Sequence, residues 1–250
     1  MTAWAYLDHP GPIPFAHRGG ASEYPENTMP AFEHAVRLGY RYLETDAHAT
    51  ADGVLVAFHD PVLDRVTDRR GAIAALPWET VRQARLGREG IPLMEELLTA
   101  WPEVRVNVDL KHEASVAPMV DVIERTGAHD RVCVASFSGK RLDRFRRMTG
   151  GRVCTAIGPL DIARLRAVGF RLPTGGFAGA CAQVPVRQGP VLVVDRRFVD
   201  GAHRRGLPVH VWTIDDQDEM ERLLDLGVDG IMTDRPSVLK EVLVRRGQWA

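Results

Sequence analysis

The stretch FAHRGGASEYPENT (15–28) sets an imidazole beside a guanidinium at His17 and Arg18, followed by Gly19 and Gly20. An imidazole titrates near neutrality, a guanidinium grips an anion through parallel hydrogen bonds, and glycines let backbone run close to a ligand. The same dipeptide also serves as a structural pair bonded to backbone carbonyls. A second stretch, YLETDAHATADGVLVAFHD (42–60), places Glu44 and Asp46 two residues apart. On a strand, side chains at that spacing share a face, and two carboxylates there repel unless a cation or a proton compensates them. Asp109 and Lys111 repeat the spacing in RVNVDLK (105–111). On neighbouring strands, Glu44, Asp46 and Asp109 make an oxygen-only ligand set, which suits a hard cation such as Mg2+ or Ca2+ better than zinc. Salt bridges to Arg18, Lys111 and Arg105 account for these residues equally well. His59 closes the run VLVAFH, where Asp60 either orients the imidazole or merely flanks it. His34, His129 and His203 read as ordinary helix or loop residues, and His48 and His112 as supporting groups at most.

Groups so far apart in the chain need a scaffold whose strand ends converge, and the sequence alternates accordingly. Runs rich in β-branched residues fall at 13–16, 42–47, 105–110, 131–136, 152–157, 182–185, 208–214 and 230–233. Segments with helical spacing fall between them, at 30–38, 93–101, 115–125, 140–148, 161–168, 197–205, 216–226 and 238–245. Eight strands alternating with eight helices predict a parallel sheet, and 250 residues suit its closure into a single (β/α)8 TIM barrel. Runs such as VCVAS and GIMTD are apolar over most of their length, as expected of strands covered on both faces. Asp216 with Glu219 fits a capping box, and Gly39, Gly127, Gly169 and Gly227 read as helix stops. The rhythm breaks once, after strand two. The pair Asp52-Gly53 predicts a tight turn into a further short strand, and 53–90 reads as a small insertion on the catalytic face, too short for a core of its own. A glycine-rich stretch, 171–180, predicts a loop near strand six.

Composition narrows the partners. The formal net charge is -1, with 32 basic and 33 acidic residues spread along the chain, so no clustered basic signature points to nucleic acid. Any phosphate binding must be local, and the expected partner is a small molecule. No apolar window has membrane-spanning length and the N-terminus lacks a signal pattern, which predicts a cytoplasmic protein without stable membrane insertion and compatible with a homo-oligomer. Cys133, Cys154 and Cys181 lie in apolar runs at spacings that suit neither a disulfide framework nor a CxxC site, and read as small core residues.

In this order, HRGG…PENT, ETDAHATADGVLVAFHD, VDLK, VWTIDD and GVDGIMTDRP resemble the glycerophosphodiester phosphodiesterase family, over residues 14–239. The resemblance implies a TIM barrel with an insertion after strand two and hydrolysis of glycerophosphodiesters to glycerol 3-phosphate and an alcohol. It further implies His17 and His59 as acid–base catalysts, Glu44, Asp46 and Asp109 as ligands of a divalent cation, and Arg18, Lys111 and Trp212 as substrate contacts. This chain departs from the family at two positions. Asp109 stands where glutamate is usual, which predicts looser or water-bridged metal binding, and Asp215 stands where asparagine is common, adding negative charge near the pocket. Two alternatives keep the fold: a lysophospholipase D-like phosphodiesterase whose acyl chain enters past the glycine-rich loop and Phe177, and a barrel that binds phosphodiesters without cleaving them.

Overall fold

The computed structural model describes residues 4–168 and 175–250. Eight parallel strands form its centre: β1 (Ile13–His17), β2 (Tyr42–Ala49), β3 (Arg105–Leu110), β4 (Val132–Ala135), β5 (Cys154–Thr155), β6 (Ala182–Pro185), β7 (Val209–Trp212) and β8 (Gly230–Thr233). They pair in the order β5-β4-β3-β2-β1-β8-β7-β6, and a parallel bridge between Ala156 and Cys181 joins the two ends. The sheet is thus a closed barrel. Its seam is thin: the Ile157 amide donates to the Cys181 carbonyl at 2.9 Å and the Ala180 amide to the Thr155 carbonyl at 2.8 Å.

Helices α1 (Met29–Arg37), α2 (Met94–Ala100), α3 (Val116–Thr126), α4 (Gly139–Met148), α5 (Pro159–Val168), α6 (Arg196–His203), α7 (Gln217–Leu226) and α8 (Pro236–Arg245) follow the strands in turn. Several begin on a side chain that takes an orphan amide of the first turn. Thr28, Ser138, Asp195 and Asp216 accept from the amides of Ala31, Arg141, Phe198 and Glu219. Gly127 and Gly227, at φ 60° and 91°, end α3 and α7 in the left-handed conformation that glycine adopts without penalty. Gly169 lies outside the described residues, as does the 171–174 part of the glycine-rich stretch.

Burial explains the apolar strands. Every residue of β2 is buried, because one face meets the helices and the other fills the barrel. Inside, Tyr6, Phe15, Tyr42, Met232 and the three cysteines pack together at the end where the strands begin. All three thiols are free, and the Tyr42 hydroxyl donates to the Tyr6 carbonyl at 2.8 Å, which ties the N-terminal segment across that end. Toward the other end the filling turns polar, with Gln183 Nε2 donating to Asn107 Oδ1 at 2.7 Å.

The turn at Gly53 (φ 82°) leads into a short strand, Leu55–Ala57, antiparallel to β2 with Ala47 opposite Ala57. Residues beyond it fold into 3-10 and single-turn helices and a two-stranded ribbon. Phe58, Leu63, Ile73, Val81, Leu86 and Ile91 form a small apolar cluster there. The sequence reading expected no core in this segment. Short as it is, its loops fold back on the buried Val56 and Phe58 and so share the hairpin's foundation. Among the described residues no helix is long and apolar enough to cross a membrane.

Candidate active site

Strand register builds the site. His17 pairs with Glu44 across β1 and β2, Glu44 with Asn107 and Asp46 with Asp109 across β2 and β3. In-register residues of neighbouring parallel strands present side chains to the same face, so His17, Glu44, Asp46 and Asp109 converge at the barrel mouth. His59 reaches the same place from the end of the inserted strand. All five line one cavity of about 740 Å3, together with Arg18, Lys111 and Trp212.

The first loop is shaped for this. Arg18 takes a left-handed φ of 51°, uncommon for a residue with a side chain. Its backbone amide donates to Glu44 Oε2 at 3.1 Å and its side chain turns toward Asp46 and Glu26, with Nε 3.2 Å from Asp46 Oδ2 and Nη1 3.2 Å from Glu26 Oε1. The Nε contact is one of charge, since it lacks hydrogen-bond geometry. Gly19 (φ 82°) follows, where a Cβ would stand 2.7 Å from that of Ala31. Only glycine lets the turn pack this tightly on α1. Asn27 fastens the loop from beneath: its Nδ2 donates to Asp46 Oδ2 at 3.0 Å while Thr45 Oγ1 donates to its Oδ1 at 2.8 Å.

Each histidine is held by a carboxylate. His17 Nδ1 lies 2.6 Å from Asp234 Oδ1, just past β8, and its Nε2 lies 3.7 Å from Glu44 Oε2. His59 Nδ1 lies 2.6 Å from Asp60 Oδ1. An ionised carboxylate only accepts, so both Nδ1 atoms carry the proton and both Nε2 atoms are left for chemistry. The partners are anchored in turn. Asp215 Oδ1 accepts from the Asp234 amide at 2.7 Å and from Thr233 Oγ1 at 3.0 Å. The Asp215 carboxylate is therefore spent on the turn that carries Asp234. Arg65 bridges Asp60 and Glu26, with Nε 2.6 Å from Asp60 Oδ2 and Nη2 2.7 Å from Glu26 Oε1. Through Glu26, the insertion is tied to Arg18.

Charge balance shapes the proton affinities. Burial pushes the Glu44 carboxyl up to about 7, against the pull of the His17 charge and with the Asp46 carboxylate adding to the rise. Burial would lower His17, but the Glu44 charge and the Asp234 hydrogen bond outweigh it and raise the imidazole above its ordinary value. Burial likewise works against Asp46, yet Lys111 and Arg18 hold its carboxyl below the usual range. Asp109 is raised, chiefly by burial, in spite of Lys111. The Lys111 ammonium spans the two aspartates, 2.8 Å from Asp46 Oδ1 and 2.7 Å from Asp109 Oδ2, and the pair raises its proton affinity although burial opposes this. Asp109 Oδ1 is buried without a hydrogen-bond partner. Among the described residues no three His, Cys, Asp or Glu side chains converge as a ready ligand cage. The three carboxylates share a mouth, while Glu44 faces His17 and the aspartates face Lys111.

Sequence reasoning passed over Asp234, Glu26 and Arg65, and left open whether Asp60 orients His59, which it does at 2.6 Å. Asp234 stands in GVDGIMTDRP at the end of β8, a strand-end acid at a barrel's catalytic face, and that position was the signal available. His48 Nε2 donates to the His59 carbonyl at 3.0 Å and so supports the inserted strand. The half of the cavity away from the histidines is mainly apolar, lined by Ile157, Ile162, Val184, Val191 and Val193, with Trp212 and Phe137 edge to face at 5.7 Å and with Ser136, Arg166 and Gln188 as its polar members. Phe177 is not among the lining residues: the Arg164 guanidinium covers its ring at 5.3 Å.

Residues 17–238 match the model of the glycerophosphoryl diester phosphodiesterase family. The chain is 44% identical over 254 residues to a probable glycerophosphodiester phosphodiesterase 2 of Mycobacterium tuberculosis, covering 98% of this chain and 95% of the relative. It is 26% identical over 266 residues to the lysophospholipase D GDPD1 of Rattus norvegicus, covering 91% of this chain and 85% of the relative. Among solved structures, a putative glycerophosphoryl diester phosphodiesterase from Silicibacter pomeroyi superposes with a TM-score of 0.86 at 24% identity, over 99% of this chain and 100% of that one. An Oleispira antarctica phosphodiesterase, solved in complex with the product sn-glycerol-3-phosphate, superposes with a TM-score of 0.79 at 24% identity, over 94% and 97% of the two chains.

Proposed function

The chain belongs to the glycerophosphoryl diester phosphodiesterase family and is a phosphoric diester hydrolase, and from that premise we propose that it cleaves glycerophosphodiesters to glycerol 3-phosphate and an alcohol, with His17 and His59 as its acid–base pair. One observation carries this reading. Two imidazoles, each oriented at Nδ1 by a carboxylate 2.6 Å away, face a single cavity that also holds Arg18 and Lys111. One Nε2 takes the proton of the nucleophile while the other protonates the departing alkoxide. Arg18 and Lys111 meet the charge that gathers on the phosphoryl oxygens, in a mouth where low dielectric strengthens each contact. The nucleophile is water or the glycerol's own neighbouring hydroxyl, and trapping a cyclic glycerophosphate assigns it to the hydroxyl. Exchange of either histidine for alanine in purified protein, assayed on glycerophosphocholine, is the deciding test: full turnover by both variants ends this assignment.

The acidic cluster also suits a divalent cation. Glu44, Asp46 and Asp109 supply hard oxygen donors, as Mg2+ or Ca2+ prefers. The raised Glu44 carboxyl and the unpartnered Asp109 Oδ1 both mark a buried cluster short of positive charge. These three residues would hold the ion, and a cation there supplies further charge against the phosphate oxygens. Turnover lost on chelation and restored by Mg2+ or Ca2+ supports the reading.

A second reading is favoured by the apolar half of the cavity. A small alcohol has no use for a wall made of Ile157, Ile162, Val184 and Val193, whereas the acyl chain of a lysophospholipid would bury apolar surface against it. Comparing turnover of lysophosphatidylcholine with that of glycerophosphocholine separates the two.

A further inference from the structure

Eight large apolar side chains stand exposed among the described residues, and four of them crowd one sector of the barrel mouth. Phe137 (67% exposed) follows β4, Leu160 (84%) opens α5 after β5, and Val191 (57%) and Leu192 (39%) form the outer strand of the ribbon Arg187–Gln188/Val191–Leu192 after β6. The three loops follow consecutive strands of the barrel, so the four side chains make one continuous rim. Phe137 and Val191 also line the cavity, which makes the rim the lip of its apolar half. A monomer in water gains nothing from presenting such a patch, and patches of this kind mark surfaces of contact. Asp161, next to Leu160, is paired with Arg164 at 2.5 Å, and two further charges beside the rim are cations. Lys140, exposed in the first turn of α4, and Arg187, exposed on the ribbon, have no carboxylate partner among the described residues; the Arg187 guanidinium donates only to the Pro190 carbonyl, at 3.0 Å.

We infer that this rim docks the barrel mouth onto a lipid surface carrying anionic headgroups, with Phe137, Leu160, Val191 and Leu192 entering the headgroup–acyl boundary and Lys140 and Arg187 meeting the lipid charge. Apolar side chains flanked by two cations without carboxylate partners combine the two attractions that hold proteins at an anionic interface. The contact is peripheral, in keeping with the absence of a spanning helix among the described residues. In this pose the apolar half of the cavity opens against the acyl layer, while the histidines and carboxylates remain on the opposite side of the mouth. The inference goes beyond the catalytic reading and is measured without turnover, so either can fail alone.

The test is co-sedimentation of the full chain with vesicles of phosphatidylglycerol mixed with phosphatidylcholine and, separately, with vesicles of phosphatidylcholine alone. Binding to the mixed vesicles is expected, weakened by salt and reduced on the neutral ones. The double variant Leu160→Ser/Leu192→Ser should lower vesicle affinity by roughly tenfold or more, since each leucine loses its apolar burial. Lys140→Glu/Arg187→Glu should lower it by at least about fivefold on anionic vesicles. Neither pair lies in the catalytic cluster, so turnover of soluble glycerophosphocholine and the thermal midpoint should stay at wild-type values. Wild-type protein that ignores both kinds of vesicle, or a leucine variant that binds as the wild type does, overturns the proposal. So does a concentration-dependent dimer in sedimentation velocity that only the leucine variant abolishes, because the rim would then be covered by a second copy of the chain.

Discussion

The two sides of the barrel mouth are built on opposite principles. On the side of β8, β1, β2 and β3, nearly every side chain is charged, and each is held by another: Asp234 holds His17, Lys111 spans Asp46 and Asp109, and Arg65 links Asp60 to Glu26 and so to Arg18. On the side of β4, β5 and β6 the wall is mainly aliphatic, its Arg166 turned to Asp195 and its Gln183 to Asn107, and it runs out to an exposed rim. Directional bonds fix angles within narrow limits, which proton transfer requires. Dispersion and hydration act without direction and tolerate whatever shape fills the space. One side of the mouth is therefore suited to the reacting phosphoryl group, and the other to a substrate portion that needs only a dry surface.

Removing either imidazole breaks the charged side where it matters most. His17→Ala and His59→Ala should each lower kcat by about 10²–10⁴, read in steady-state assays, with the cavity's apolar half left intact. Lys111→Met comes next. It strands the Asp46 and Asp109 carboxylates in a buried site, and loss of one partner of a buried pair costs about 3–5 kcal/mol, visible as a drop in the urea midpoint. If Mg2+ or Ca2+ restores much of that stability, the acidic cluster accepts a cation in place of the ammonium. On the apolar side, Ile162→Ser should raise KM for lysophosphatidylcholine by roughly tenfold, the worth of one aliphatic contact, and leave glycerophosphocholine kinetics unchanged. Equal effects on both substrates would abolish the division of labour. Smallest is Asp60→Asn. The Asp60 carboxyl is held down to about 2, first by the Arg65 hydrogen bond and then by His59. A depressed carboxyl stabilises the fold above its unfolded value near 4 and stops doing so as pH falls through about 2. With Arg65 half exposed, the gain is about 1 kcal/mol at pH 7. Denaturant curves should show wild type and variant separated at pH 7 and converging at pH 2.

Much of the barrel was legible because its signals are local. The Asp216 cap, the Gly227 stop and the apolar strand GIMTD each follow from a few neighbouring residues. Boundaries slipped where long-range contacts decide them: β5 reads as 152–157 from composition but pairs in register only over Cys154–Thr155, because it lies at the seam where the sheet closes. The insertion was legible as an interruption, whereas its apolar cluster depends on loops folding back over Phe58. In the site, the two-residue spacings of Glu44, Asp46, Asp109 and Lys111 pointed to a shared face, and register places them on one. The choice between cation and salt bridge stood open in the sequence, and here Lys111 takes the place between the aspartates.

Read as a string, the chain already specified the alternation that makes a (β/α)8 barrel, the family, and the groups able to move protons and grip a phosphate, since periodicity, capping and motif order are properties of residues near one another. Folding decided which of those groups meet. His17 and Asp234 lie 217 positions apart and touch only because β8 closes against β1. Asp215, which looked like stray charge beside the pocket, is instead the anchor of the Asp234 turn. The apolar rim exists only because three loops, from 137, 160 and 191–192, end at one lip of the barrel. Local spacing reports the face on which a residue sits, and only closure of the barrel brings distant faces together.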